Sequence, residues 1–120
     1  MAIRRIDRAR GVAAEKLTAE KYRKSGFQIV AQNYRRPDCG EIDIIAKRGA
    51  KLYFIETKLG QDFDAAAARL TPQQQQRMHK SAQKFLAEFG YDQGTEIRFD
   101  AALVTHDGRF KVLPGGLNIF

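Results

Sequence analysis

Three charged side chains at short, regular spacing are the part of this sequence best suited to chemistry. Asp43 lies in one apolar run, and Glu56 and Lys58 lie at alternate positions of the next. Carboxylates are costly to bury in apolar strands unless their charge is compensated, and a divalent cation is one candidate for that role. A lysine on the same face can orient an attacking water or stabilise charge on a phosphate. The pattern suits metal-assisted phosphodiester hydrolysis, and an ion pair across a partly exposed sheet is the alternative.

Two stretches with period-two alternation carry these residues. Residues 41–46 and 52–58 alternate as strands do, and Gly49 lies in the short turn between them, which predicts an antiparallel hairpin. If the two strands are neighbours, Asp43 and Glu56 face each other with their Cβ atoms about 5 Å apart. Two carboxylates at that separation repel each other unless a cation lies between them.

A helix predicted over residues 7–24 contributes a further acid. The segment is rich in Ala, Glu, Lys and Leu, which are good helix formers. Glu15 belongs to a row of this helix whose members recur at spacings of three and four: Val12, Glu15, Ala19 and Tyr22. Glu15 is therefore either a boundary residue paired with a lysine or, if the helix packs over the strands, a further carboxylate for their site.

The remaining elements define the fold class. We predict a strand over 27–34, a helix over 71–89, and strands over 97–105 and 110–113, whereas residues 61–68 fit either a loop or a short helical turn. Thr71 and Pro72 are typical of a helix start, and an apolar stripe follows: Met78, Ala82, Phe85, Leu86 and Phe89. This order predicts an antiparallel meander, then a parallel crossover, in an α+β or α/β three-layer domain.

Two basic segments precede the predicted hairpin. Arg35 and Arg36 lie in the loop before it and suit phosphate contacts, with a plain surface turn as the alternative. Residues 1–10 contain four arginines and form either a basic arm or a frayed terminus. The apolar C-terminal tail, Leu117, Ile119 and Phe120, is expected to pack against the core.

Composition narrows the class of protein. Lys and Arg number 21 and Asp and Glu 14, so the net charge is +7, which favours a nucleic-acid partner, with solubility alone as the alternative. One cysteine excludes an intrachain disulfide and a cysteine-based metal cluster. No apolar run approaches the roughly 20 residues of a membrane span, and the basic N-terminus lacks the apolar region of a secretory signal. We therefore expect a cytoplasmic protein that does not associate with membranes.

Six motifs resemble a family of bacterial proteins of uncharacterised function, the YraN type. In chain order they are G-x-A-A-E (11–15), N-Y-R (33–35), G-E-I-D-I-I-A (40–46), F-I-E-T-K (54–58), R-F-D (98–100) and I-F (119–120). The resemblance implies the PD-(D/E)XK superfamily, which includes archaeal Holliday-junction resolvases. It implies a single α/β domain over residues 1–120 with a restriction-endonuclease-like αβββαβ core, in which helices flank a mixed central sheet.

The resemblance also assigns roles, position by position. It implies that Asp43 and Glu56 bind Mg²⁺ or Mn²⁺ with help from Glu15 and the Thr57 carbonyl, and that Lys58 activates water. The implied activity is endonuclease cleavage of DNA, including branched or damaged DNA, by a homodimer whose two sites cut two strands. A non-catalytic nucleic-acid-binding module on the same fold is the alternative, and a scaffold that docks an acidic protein is a third reading.

The chain departs from the family pattern beside Glu56 and Lys58, which form an E-x-K pair. The family usually has valine where this chain has Thr57, and a basic or small polar residue followed by arginine where it has Leu59 and Gly60. The missing arginine removes one expected phosphate contact and leaves the expected metal ligands intact.

Overall fold

A mixed sheet forms the centre of the molecule. The computed structural model describes residues 2–115, and their side chains from residue 8 onward. The elements are α1 (Ala2–Lys24), β1 (Gln28–Tyr34), β2 (Ile42–Arg48), β3 (Lys51–Gly60), α2 (Phe63–Ala67), α3 (Pro72–Glu88), β4 (Ile97–Thr105) and β5 (Phe110–Leu113). The predicted packing of Leu117, Ile119 and Phe120 lies outside the described residues.

The five strands are arranged in chain order, β1-β2-β3-β4-β5. β1, β2 and β3 pair antiparallel, β3 and β4 pair parallel, and β5 returns antiparallel to β4. The predicted meander and parallel crossover are therefore confirmed, and the α/β fold is compatible with a restriction-endonuclease-like core. The segment that the sequence left undecided contains the five-residue helix α2.

Both faces of the sheet are covered. On one face Phe54 packs with residues of α3, among them Met78 and Phe85. On the other face Ile44 and Ile55 pack with α1. Because the central strands are buried on both sides, they have nearly continuous apolar runs, and the charged residues of β2 and β3 lie towards the strand ends.

Helix α1 differs from its prediction in two ways. It begins at Ala2 and not near residue 7, because arginine is a good helix former and no proline interrupts the basic segment. Residues 2–10 of the segment expected to form a basic arm or a frayed terminus are thus part of this helix. The row of Val12, Glu15, Ala19 and Tyr22 does not face the sheet along its whole length, because Val12 is 62% exposed, whereas Ala14, Thr18 and Tyr22 are buried.

Helix α3 begins as predicted. Thr71 Oγ1 accepts a hydrogen bond from the Gln74 backbone N–H at 3.1 Å, and Pro72 occupies the first turn. The apolar stripe is confirmed except at Phe89, which is 54% exposed because the helix ends at Glu88. Among residues 2–115, no helix has the combined length and apolar character needed to cross a lipid bilayer.

Candidate active site

Asp43 and Glu56 lie at the same end of the β2–β3 ladder. The register pairs Ile44 with Ile55, so the next step along the ladder places Asp43 opposite Glu56, as predicted. Their carboxyl groups lie within hydrogen-bonding reach of each other. Asp43 Oδ2 also accepts a hydrogen bond from the Thr57 backbone N–H at 2.8 Å. The hairpin thus fixes Asp43 beside Glu56 through its backbone.

The surroundings of Asp43 and Glu15 disfavour the charged forms of these two carboxyl groups. Burial and the neighbouring Glu56 carboxylate raise the pKa of Asp43 from 3.8 to about 8. Burial, with the charges of Asp43 and Glu41, raises the pKa of Glu15 from 4.5 to about 7. A raised carboxyl pKa means that the charged form is disfavoured. Near neutral pH a proton therefore offsets negative charge at this end of the sheet that a bound cation would otherwise offset.

Glu56 receives the other polar contacts of the site. Lys58 Nζ lies 3.2 Å from Glu56 Oε2, and the Gln74 side-chain amide donates to the same oxygen. Glu56 Oε1 is buried and has no hydrogen-bond donor within residues 8–115. When Asp43 and Glu56 are both ionised, neither can donate to the other. The unsatisfied oxygen therefore fits a site that accepts a cation.

Helix α1 brings Glu15 towards the pair from the other face of the sheet. Thr57 Oγ1 donates to Thr18 Oγ1 at 3.1 Å, and Thr18 Oγ1 donates to the Ala14 carbonyl at 2.9 Å. These bonds anchor α1 to β3 within one turn of Glu15. The hydroxyl of Thr57 therefore helps to position the helix that carries Glu15.

The predicted ligands are brought together to different degrees. Glu56 contacts both Asp43 and Lys58, so these three side chains form one group. Glu15 is close enough for the charge of Asp43 to raise its pKa. Within the described part of the chain, however, no group of three or more Asp, Glu, His or Cys side chains is arranged to hold a metal ion. The carboxylate pair is thus preassembled, whereas a third carboxylate is not.

A pocket of about 260 Å³ opens between the carboxylates and the first turn of α3. Its lining includes three residues that sequence reasoning did not assign to the site: Thr71, Gln74 and Arg77. The loop before β2 packs closely here, since a Cβ added to Gly40 would lie 2.7 Å from Arg77 Cβ. The cap signal at Thr71 could have pointed to this end of the helix, because helix N-termini favour anions.

Sequence comparison places the chain in a family. Residues 14–104 match the uncharacterised protein family UPF0102. The chain belongs to this family. It is 41% identical over 103 residues to a UPF0102 protein of Ruegeria pomeroyi, covering 86% of this chain and 83% of the relative. It is 42% identical over 103 residues to one of Cereibacter sphaeroides strain ATCC 17029 (86% and 87% covered) and 34% identical over 108 residues to one of Rhodopseudomonas palustris (90% and 82% covered). The YraN-type resemblance is thereby confirmed.

The two predicted DNA-binding arginines of this UPF0102 chain occupy different environments. Arg35 pairs with Glu41 at 2.9 Å, beside the pocket, and its side chain is 73% exposed. Arg36 makes a bidentate pair with Glu88 at the far end of α3, at 2.9 and 2.7 Å, and lies over the Tyr34 ring. Arg35 is therefore placed at the rim of the candidate site, and Arg36 is held elsewhere.

A third arginine of this UPF0102 chain lies beside the end of the strand that carries Glu56 and Lys58. Arg69, just after α2, donates from Nη1 to the Leu59 carbonyl at 3.1 Å. Leu59 directly follows Lys58, so the guanidinium lies beside the end of the E-x-K strand. No sequence pattern indicated this contact, because Arg69 is 10 residues from Leu59 along the chain.

Proposed function

We propose that this UPF0102 protein is a nuclease that hydrolyses DNA phosphodiester bonds with the help of a divalent cation, Mg²⁺ or Mn²⁺. The observation that carries the proposal is the contact between Asp43 and Glu56, with Lys58 Nζ 3.2 Å from Glu56. The raised pKa of Asp43 supports a cation at this position, and so does the buried Glu56 Oε1, which has no hydrogen-bond donor among residues 8–115.

The donor set suits a hard cation. Asp43 and Glu56 would hold it through carboxylate oxygens, and the resemblance adds Glu15 and the Thr57 carbonyl. A bound cation would polarise the phosphate and lower the pKa of the attacking water. The Lys58 ammonium, held against Glu56, would stabilise the charge that develops on the phosphate and orient the water.

Positive charge around the pocket supports DNA as the substrate. Arg77 lines the pocket, Arg35 lies at its rim and Arg69 lies beside the end of β3. The N-terminus of α3 adds its helix dipole, which favours a phosphate there. With a net charge of +7, these groups would attract a polyanion. We propose that the protein acts in the cytoplasm on DNA, including branched or damaged DNA. We also propose that it forms a homodimer whose two sites cut two strands.

A cleavage assay tests the proposal. Labelled single-stranded, duplex, flap and four-way-junction DNA, and one RNA, are incubated with Mg²⁺, with Mn²⁺ or with EDTA. We expect metal-dependent cutting of DNA that is lost in Asp43→Asn, which keeps the shape of the side chain. Full activity of folded Asp43→Asn would refute the assignment.

The second candidate is a nucleic-acid-binding module without catalysis. It is favoured by one observation, that the described residues assemble two carboxylates in contact and not three. Salt-sensitive DNA binding by a folded protein that cuts no substrate with either metal would select it. Salt-insensitive failure to bind any nucleic acid would instead favour the scaffold reading.

A further inference from the structure

A second pocket lies on the opposite face of the sheet and at its opposite end. It has a volume of about 310 Å³ and lies where α1 ends and β1 begins. Arg48, which lines it, ends β2, whereas Asp43 lies near the start of the same strand. Five residues of extended strand separate the two, which is roughly 17 Å. This pocket is therefore distinct from the proposed site of hydrolysis.

Its walls combine aromatic rings with cations. Arg48 Cζ lies 4.2 Å from the centre of the Phe27 ring, and Lys21 Nζ lies 5.9 Å from that of Phe110. Arg98, the third cation of the lining, lies over Tyr53 with its Cζ 4.7 Å from the ring centre. Positive groups are thus held on flat apolar surfaces around one cavity, which has the size of small-ligand sites, roughly 300–1,000 Å³.

A buried network fixes Arg98 in the wall. Arg98 Nε and Nη2 donate to the two oxygens of Asp100 at 2.7 and 2.9 Å. Asp100 is fully buried and also accepts from the Tyr22 hydroxyl at 2.7 Å and from the Gly115 N–H at 3.0 Å. The carboxylate is therefore satisfied internally, and it holds the guanidinium in a fixed position at the pocket.

The other two cations of the wall are not compensated. Lys21 and Arg48 are exposed, and neither forms a salt bridge with another described residue. None of the described side chains that line the pocket is acidic. The cavity therefore presents two uncompensated positive charges next to aromatic faces, which suits a ligand that is both flat and anionic.

We propose that this pocket binds a nucleotide. The base would stack on the outer plane of the Arg48 guanidinium, whose other side lies on the Phe27 ring, as bases do on guanidinium groups in single-strand binding sites. The phosphate would be held by Lys21 and Arg48 through charge-assisted hydrogen bonds. The ligand is a free nucleoside monophosphate or an unpaired nucleotide within a strand, because both present the same base and phosphate. The inference is independent of whether the Asp43–Glu56 site cleaves DNA.

Calorimetric titration of the full chain at low salt tests this. The probes are AMP, adenosine, ribose 5-phosphate and a single-stranded oligodeoxyadenylate. AMP is expected to bind about tenfold more tightly than adenosine or ribose 5-phosphate, because each of these lacks one of the two groups recognised. Arg48→Ala is expected to weaken AMP binding by about tenfold. Lys51→Ala is the control. Lys51 belongs to the same hairpin but pairs with Glu96 outside the pocket, so its replacement should leave AMP binding unchanged.

A second variant separates stacking from charge. Phe27→Leu keeps apolar volume but removes the ring that supports the Arg48 guanidinium plane, so the affinity for AMP should fall towards that for ribose 5-phosphate. Phe27 packs edge-on against Tyr22 and Tyr53, so circular dichroism and thermal unfolding must show that the variant is folded.

The two ligand sources give different results. Binding of AMP that depends on Arg48 identifies a free-nucleotide pocket, whereas Arg48-dependent binding of the oligonucleotide alone identifies a pocket for a nucleotide within a strand. Two results overturn the proposal. One is AMP binding no tighter than ribose 5-phosphate, and the other is an equal loss in Arg48→Ala and Lys51→Ala, which would indicate a general charge effect.

Discussion

The carboxyl groups of Asp43 and Glu56 lie within hydrogen-bonding reach of each other across the β2–β3 ladder. Glu56 is only 4% exposed, so water does little to relieve their repulsion. The Lys58 ammonium offsets one of the two charges, so a proton or a further cation must offset the other. In the metal-free protein the raised pKa of Asp43 favours the proton, which links the stability of the fold to pH.

The linkage predicts that the metal-free protein loses stability as pH rises from about 4 to about 8. In that interval the folded state holds more protons than the unfolded state, because the pKa of Asp43 rises from 3.8 to about 8 on folding. Glu15, with its pKa raised to about 7, acts in the same direction. Asp43→Asn removes the larger contribution and keeps an acceptor for the Thr57 N–H. Its Tm at pH 8 should exceed that of the wild type by about 4 °C for each kcal/mol relieved.

Thermal unfolding in EDTA between pH 4 and pH 9 measures this. The matched control is Asp64→Asn, an exposed aspartate on α2. A fall in Tm with pH that is equally steep in Asp43→Asn and in the wild type would show that the pair is not strained.

Gln74 predicts a graded effect on metal affinity. Its amide donates to Glu56 Oε2 and so orients a carboxylate that we propose as a ligand. Removal of such an orienting partner commonly weakens metal binding 10- to 100-fold. Gln74→Ala should therefore weaken Mn²⁺ binding, measured by calorimetry, by about tenfold. Gln73→Ala changes an exposed glutamine of the same turn and should have no effect. Equal affinities of the two variants would remove Gln74 from the site.

Lys58 should affect the rate of cleavage more than DNA binding. Lys58→Met keeps the apolar stem of the side chain but removes the ammonium that pairs with Glu56. We expect the single-turnover rate to fall at least about hundredfold. The Kd for DNA should change less than about threefold, because one charge contributes little to overall affinity. Lys80→Met, on the exposed side of α3, is the control. A variant that loses affinity but keeps its rate would make Lys58 a binding residue.

The position of Asp43 opposite Glu56 could be predicted because local rules determine it. Period-two alternation assigns the faces of both strands, and the short turn at Gly49 leaves one register compatible with burial of the apolar residues. Lys58 follows from the same alternation, since it lies two residues beyond Glu56. These placements require no knowledge of the rest of the fold.

Contacts from other elements could not be predicted in this way. Gln74 contacts Glu56, and Arg77 lines the pocket, because the chain after β3 passes through α2 and places the start of α3 beside the carboxylates. The sequence did not decide between a loop and a helix at α2. The exposure of Val12 has a similar origin, because the face of α1 that packs on the sheet is set by tertiary contacts.

Arg69 is expected to supply a phosphate contact beside the end of β3. Its guanidinium lies at the Leu59 carbonyl and its side chain is exposed. Arg69→Ala should weaken DNA binding in fluorescence anisotropy and reduce the slope of log affinity against log salt by about one. Arg23→Ala, an exposed arginine in the last turn of α1, is the control. An unchanged salt slope in Arg69→Ala would show that this arginine does not contact the backbone of DNA.

Gly60 explains why Arg69, and not residue 60, is available for this role. A Cβ at Gly60 would lie 2.4 Å from the Ala66 backbone nitrogen, so α2 can pack against the end of β3 only if this position has no side chain. Gly60→Ala should therefore lower stability by about 2 kcal/mol, and displace α2 together with Arg69. Gly11→Ala tests the opposite sign, because nothing lies within 4 Å of a Cβ there and alanine favours the helix by about 0.5–1 kcal/mol. Denaturant unfolding measures both variants, and a Gly60→Ala protein as stable as the wild type would contradict this close packing.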